Sequence, residues 1–254
     1  MSRYNFKFGD YWISELGAIS TETPSIEIAQ RDYDLIDIPG KDGSDYIDNG
    51  RYQNVEITRN ISMIGRRDFP VQDKVANFIN TYAYLQGYQP FEDTDHNDMV
   101  TEAVLTNFNE INRKLRTLNA AKLKFSRKPY WYLKSGLEYK PVDLSPSLPI
   151  LSFDNPFPLE SKPMIVFTIT AGIPASFQYR IITEDGQKNY NCINVSGNVT
   201  LTIDCEKCTA IVSSGVYAPF DIPPGFGLGR SSIQIISGKD RLSSVQVAPR
   251  WRCL

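Results

Sequence analysis

Three short stretches of this sequence carry residue types that could do chemistry: Asp93-Thr94-Asp95-His96-Asn97-Asp98, Cys205-Glu206-Lys207-Cys208 and Gly225-Phe226-Gly227-Leu228-Gly229-Arg230. Each imitates a known device and then departs from it. The acidic run opens like a calcium loop. Its sixth position is Asp98, where the sharp turn needs glycine, and its twelfth is Val104, where a bidentate glutamate closes the cage. His96 is the single histidine, so any hydrolase built on an imidazole base depends on it, and no Gly-x-Ser-x-Gly elbow accompanies it. It reads as a solvated loop residue. The cysteine pair has the spacer of a zinc knuckle or a redox motif. No second pair or histidine cluster completes a tetrahedral set, and the pair follows the alternating Leu201-Thr202-Ile203-Asp204 instead of opening a helix. These cysteines read as buried or half-exposed strand thiols. The glycine-rich stretch lacks the lysine of a phosphate loop, follows Pro223-Pro224 and leads into strand-like residues, so it reads as a flexible turn. Carboxylate pairs for glycoside hydrolysis can be drawn in any chain with 29 acidic residues and decide nothing. The expectation is a protein without a catalytic set, a metal site or a cofactor.

Composition narrows the remaining classes. The chain has 254 residues, 41% hydrophobic and 22% charged, enough to bury one large or two medium cores. Its 27 basic and 29 acidic residues leave a net charge of −2, so the chain as a whole offers no electrostatic footprint for nucleic acid or an anionic membrane. The one basic cluster, Arg113-Lys114-Leu115-Arg116 followed by Lys122, Lys124, Arg127 and Lys128, reads as a solvated face or a subunit contact. No apolar run approaches the roughly 18 residues of a membrane span. The start, Met1-Ser2-Arg3-Tyr4-Asn5-Phe6, has no signal-peptide core. A soluble chain made in a cytoplasm is expected. Four cysteines, Cys192, Cys205, Cys208 and Cys253, are too few for a disulfide scaffold and are expected to be reduced.

The elements that would position these residues are mostly strands. Tyr4, Phe6 and Phe8 alternate, as do Ile26 and Ile28, and Leu35, Ile36 and Ile38 lead into Pro39-Gly40. Alternation predicts half-buried strands. The glycine and Asx residues of Lys41-Asp42-Gly43-Ser44-Asp45 and Asp48-Asn49-Gly50 predict a hairpin between two of them. Val71, Val75, Phe78, Ile79, Tyr82 and Leu85 trace one face of a helix from Pro70 to Gln86, with Asp68 as N-cap and Gly87 as stop. Met99–Phe108 and Leu123–Leu133 read as strands. Ile111, Leu115 and Leu118 between them fit strand and helix alike. Six prolines between 141 and 163 mark a linker. Short strands then recur, from Met164–Thr170 to Ser244–Val247, divided by Glu184-Asp185-Gly186, Ser196-Gly197-Asn198 and Ser237-Gly238-Lys239-Asp240. That spacing predicts a β-sandwich. Of the aromatics, Tyr130-Trp131-Tyr132 ends a strand, while Tyr217, Phe220 and Phe226 lie among turns, suited to a core, an interface or stacking on a sugar.

Set in order, several weak motifs form a pattern. Ile38-Pro39-Gly40-Lys41-Asp42-Gly43, Gly50-Arg51-Tyr52-Gln53-Asn54-Val55-Glu56-Ile57, the helix and Phe125-Ser126-Arg127-Lys128-Pro129-Tyr130 fill the first half. Leu201-Thr202-Ile203-Asp204, Ile222-Pro223-Pro224-Gly225 and Val247-Ala248-Pro249-Arg250-Trp251 fill the second. Together they resemble the distal tail protein family of siphophages infecting Gram-positive bacteria, over essentially the whole chain. Lys41 stands where the family turn often has arginine, and Phe226 where an asparagine is common.

The resemblance implies a mainly β fold with one helix. It implies an N-terminal α+β, β-barrel-like belt domain over residues 1–135 and a C-terminal galectin-like β-sandwich over 136–254. It implies a structural hub of a phage tail tip or baseplate, not an enzyme: a homo-hexameric ring that joins the tail tube protein to the tip or fibre protein. DNA would meet it only in transit through the channel, with no membrane insertion. Location would be the virion, after assembly in the host cytoplasm. The preferred ring-interface loop comprises Pro39, Gly40, Lys41, Asp42, Gly43, Arg51 and Tyr52. The other function weighed is a carbohydrate-binding module for host-surface polysaccharide.

Overall fold

The structure, a computed structural model, describes residues 4–65, 71–108, 111–115, 118–170, 175–195, 199–215 and 225–254. The chain divides into two compact units, Met1–Trp131 with Leu254, and Tyr132–Cys253. Asp68, Pro70, Arg116, Ser196-Gly197-Asn198, Tyr217, Phe220 and Ile222-Pro223-Pro224 lie outside the described residues.

Strand alternation builds the first unit. Its strands are β1 (Phe6–Phe8), β2 (Tyr11–Trp12), β3 (Ala18–Ser20), β4 (Arg31–Asp37), β5 (Ser44–Tyr52) and β6 (Val55–Ile64), then, after the helix α1 (Val71–Phe78), β7 (Gln89–Asp93), β8 (Met99–Asn107), β9 (Ile111–Leu115) and β10 (Leu118–Arg127). The order β2-β1-β7-β8-β10-β6-β3, with β9 on β10, makes one antiparallel sheet. Its inner face is aromatic. Phe8 packs on Phe125 at 5.1 Å between ring centroids and Phe6 on Phe91 at 5.7 Å, with all four rings buried. Each such ring is worth about 1.5–3 kcal/mol relative to exposure. Phe78 and Tyr82, four residues apart and so on one helical face, bring the helix onto this cluster; Tyr82 meets Phe8 at 5.5 Å and its hydroxyl donates to the Tyr11 carbonyl at 2.8 Å.

The helical stretch is shorter than its periodicity predicts. After Phe78 it widens into a π-helical turn, Ile79–Ala83, and stops before Leu85. Ile111, Leu115 and Leu118, equally suited to a helix by spacing, belong to strands β9 and β10. The expectation of half-buried strands fails between residues 26 and 38. Ile26 and Ile28 lie outside any strand, and they, Leu35, Ile36 and Ile38 are all exposed. Leu35 and Ile36 lie in β4, which among the described strands pairs only with β5.

The second unit is a sandwich. Its elements are β11 (Trp131–Leu133), α2 (Lys134–Leu137), β12 (Lys140–Pro141), β13 (Ile150–Asp154), β14 (Met164–Ile169), β15 (Ala175–Thr183), β16 (Gly186–Val195), β17 (Val199–Asp204), β18 (Thr209–Val212), β19 (Arg230–Ser237), β20 (Leu242–Ala248) and β21 (Arg252–Cys253), the last pairing with β11. One sheet runs β12-β20-β14-β17-β18 and the other β13-β19-β15-β16. Phe167 of the first meets Phe177 and Tyr179 of the second at 4.8 and 5.2 Å, so the two inner faces share one core. The proline-rich segment is no free linker: β12 and β13 pair at the edges of the two sheets, where a missing backbone donor is tolerated. Nor is the glycine-rich stretch a flexible turn. Phe226 is buried, stacks on Phe153 at 5.3 Å and exchanges backbone hydrogen bonds with Ser161.

Candidate functional site

The feature that sets the first unit apart is an arm made of β4 and β5. Its turn follows from local chemistry. Pro39 pre-sets one central position and Gly40, at φ +85°, supplies the other, while the Lys41 N–H donates to the Ile38 carbonyl at 3.1 Å, a type II turn. From there the strands pair Asp37 with Ser44, Leu35 with Tyr46 and Tyr33 with Asp48. Near the base the register slips, accommodated by Gly50 at φ +71°, so that Arg31 faces Tyr52.

Alternation places Tyr33, Leu35 and Tyr46 on one face of this ribbon and Ile36, Ile38 and Ile47 on the other. All six are exposed, by 44 to 60%. The Tyr33 and Tyr46 rings lie 5.1 Å apart. A lone two-stranded ribbon is at best marginally stable in water. Ion pairs bridge this one. Arg31 forks onto both oxygens of Asp48 and lies over the Tyr52 ring at 5.1 Å; Arg51 reaches Asp32 at 2.5 Å; Lys41 pairs with Asp45. Hydrogen bonds from Gln53 and Arg51 hold the Asp32 carboxyl below its usual range, and those from Arg31 and the Gly50 N–H do the same for Asp48.

The expected interface residues therefore separate. Pro39, Gly40, Lys41, Asp42 and Gly43 form the tip, whereas Arg51 and Tyr52 lie at the base, with Tyr52 against Tyr130 at 6.0 Å. Sequence reasoning missed the apolar flanks between them. Their signal was legible: apolar residues at both parities of a short strand, Leu35 beside Ile36 and Tyr46 beside Ile47, leave neither face polar.

The other feature of this unit is a cleft of about 290 Å³ whose lining includes Glu27, Arg59, Asp93, His96, Arg127 and Trp131. Its charged groups are committed to the fold. Buried Arg59 donates to the Tyr4 hydroxyl at 2.9 Å and to Glu27 at 3.1 Å; buried Arg127 donates to the Lys128 carbonyl at 2.9 Å and lies over Trp131 at 5.1 Å. Burial raises the Tyr4 hydroxyl far above its usual range, so it stays neutral. His96 is not a free loop residue. Its ring stacks on Trp131 at 4.4 Å, and its Nδ1 and backbone N–H both lie 2.8 Å from the buried Asp93 carboxylate. The same oxygen accepts from the Asp95 N–H at 3.1 Å, so Asp93 caps a turn where a calcium loop would present a ligand.

In the second unit the cysteine pair occupies the turn between β17 and β18 instead of a strand. Cys205 is buried, which pushes its thiol up to about 12, while Cys208 is exposed at φ +51°. Among the described residues no three His, Cys, Asp or Glu side chains gather as a metal site. Two motifs distant in sequence do meet: the Arg250 guanidinium lies 2.7 Å from Asp204. Burial works against the Asp204 carboxylate, but Arg250 and the N–H groups of Lys207 and Glu206 outweigh it and hold the carboxyl below its usual range. The Arg250 N–H also donates to the Gly136 carbonyl at 2.7 Å. A Cβ at Gly136 would come within 2.9 Å of the Trp251 nitrogen, so this close approach requires glycine.

A curled sheet with one helical stretch and an arm of exposed apolar side chains, continued in the chain by a two-sheet sandwich, defines a mainly β protein. Solved structures share this architecture. The crystal structure of the Dit protein of phage SPP1, a paradigm of the hub adsorption apparatus in phages infecting Gram-positive bacteria, matches with a TM-score of 0.67 at 8% identity, covering 100% of both chains. Chains of the phage p2 baseplate in its activated conformation, with calcium or strontium, match with TM-scores of 0.52 and 0.51 at 9% identity, covering 97% and 96% of each chain. The chain thus has the Dit fold. No family model and no curated protein sequence matches it.

Proposed function

We propose that this protein is a structural hub of a bacteriophage tail tip. In this reading residues 1–135 form the belt of a homo-hexameric ring and residues 136–254 a galectin-like domain. The ring joins the tail tube protein to the tip or fibre protein and leaves a channel through which DNA passes. The tip residues Pro39–Gly43, with Arg51 and Tyr52 bracing the base, belong to one of its interfaces. The observation that carries the reading is the arm: six large apolar side chains on both faces of a ribbon, exposed in the single chain, on a fold shared with phage hub and baseplate proteins. Monomeric soluble proteins rarely expose contiguous apolar patches of more than a few hundred Å², and larger ones mark interaction sites. A closed ring needs two different complementary surfaces on each copy. The reading assigns the protein to the virion and gives it no catalytic role. Among the described residues no helix is long and apolar enough to cross a membrane.

The carbohydrate-binding reading has less support. Of the aromatics suited to sugar stacking, Phe226 is buried in the sandwich core. Native mass spectrometry of the purified chain, alone and with its neighbouring tail proteins, tests the hub reading. The expected species is six copies of the 28.8 kDa chain. A chain that remains monomeric under both conditions contradicts it.

A further inference from the structure

The arm carries more acid than it uses. Between Arg31 and Tyr52 stand six aspartates and three cations, a net of −3. The three cations are paired, to Asp48, Asp32 and Asp45. The excess therefore falls on Asp34, Asp37 and Asp42. Asp34 accepts from the Asn49 amide and Asp37 from the Ser44 hydroxyl, but none of the three has a cationic partner among the described residues. Asp34 and Asp37 stand about 10 Å apart along β4 at 3.3 Å per residue.

The same unit holds the opposite surplus. Residues 111–128 contain seven basic residues and no acid. On β10 the inward positions Ala121, Leu123 and Phe125 are buried, so Lys122 and Lys124 stand exposed on the outer face, about 7 Å apart. Neither has an ion-pair partner among the described residues, whereas Lys128 is paired with Glu102. Beside Lys122 the outer face is hollowed into a groove of about 350 Å³ whose lining includes Thr21, Asn60, Ser62, Asn112 and Ala120. Ile61, Ala121 and Lys122 complete its lining.

We infer that the outer face of β10 and β6, around Lys122 and Lys124, is the surface on which the arm of a second copy of this chain docks. Asp34, Asp37 and Asp42 of that arm supply the complementary charge. The inference rests on the ring reading above and names its second surface. Each chain bears one arm and one lysine face, and the two differ, so the contact is heterologous and propagates around a ring. Charge sets the register and favours encounter; the apolar flanks of the arm contribute the desolvated contact.

The test is a charge swap on the full chain. One variant carries Lys122→Glu and Lys124→Glu, the other Asp34→Lys, Asp37→Lys and Asp42→Lys. All five positions are exposed, so both variants fold with unchanged circular dichroism. Each alone is expected to associate at least about tenfold more weakly than the unaltered chain at low salt. Mixed one to one, they restore assemblies in which the two alternate, because six is even and each reversed surface then meets its complement. If the unaltered chain forms rings and both variants form them equally well, the docking surface lies elsewhere and the hub reading stands. If each variant fails alone and the mixture fails as well, the pairing of these two surfaces is refuted. An unaltered chain that never self-associates, with or without tail partners, removes the ring reading and this inference together.

Discussion

Two antiparallel ribbons of similar length in this chain, β4–β5 and β15–β16, solve the same problem in opposite ways. In β15–β16 the alternation holds from Phe177 to Ile181. Phe177, Tyr179, Ile181, Tyr190 and Cys192 face the sandwich core, while Gln178, Arg180, Asn189 and Asn191 face out and bond to one another across the strands. In β4–β5 the apolar residues occupy both faces and none is buried. One ribbon is covered by its own chain; the other is exposed in the single chain, and the proposed ring would cover it. The difference shows that exposure of an apolar strand has two sources. A half-apolar ribbon needs cover on one face, whereas a ribbon apolar on both sides needs it on two.

The comparison breaks most readily at the core side. Phe167→Ala in the sandwich is expected to cost about 3–5 kcal/mol of stability, since it removes a fully buried ring that bridges the two sheets. Leu35→Ser with Ile36→Ser in the arm is expected to shift stability by only about 0.5 kcal/mol, while weakening self-association strongly. Denaturant unfolding together with light scattering separates the two effects. A Phe167→Ala chain as stable as the unaltered one, or a serine arm that still assembles, erases the contrast.

A smaller effect is expected where the sandwich fastens its C-terminal segment. Arg250→Ala removes a charge-assisted hydrogen bond to Asp204 and should cost about 2 kcal/mol near neutral pH. Because the folded state lowers the Asp204 carboxyl from 3.8, this contribution is complete above that value and is lost as the pH falls through the depressed folded value. The gap between the two unfolding midpoints should therefore be constant from pH 7 to about pH 5. It should close as the pH falls below 3.8. A gap that widens in acid contradicts this assignment.

Much of the fold was legible because most strands obey period two and most turns carry glycine or Asx at the right place. Tyr4, Phe6 and Phe8 reach the core as their alternation predicts, and Thr209–Val212 is a strand with the expected bounds. What was not legible depended on long-range contact. Spacing alone left Ile111, Leu115 and Leu118 undecided, and the pairing of β9 with β10 settles all three as strand residues. The prolines between 141 and 163 read as a linker because edge pairing, which tolerates them, leaves no local signature. His96 and the cysteine turn likewise owe their roles to neighbours distant in sequence, Trp131 for the ring and Arg250 for the Asp204 that caps the turn. At the candidate site, Pro39-Gly40 and Gly50 announced the hairpin, but the apolar flanks acquire meaning only once their exposure is seen.

The account stands or falls on whether the arm makes the assembly. Arg31 and Tyr52 already face each other, so replacing residues 32–51 with an Asn-Gly turn closes the base without disturbing the main sheet. Native mass spectrometry of this variant beside the unaltered chain is the most direct measurement. The variant is expected to be a folded monomer and the unaltered chain a six-copy species. A variant that still forms the six-copy species would contradict it.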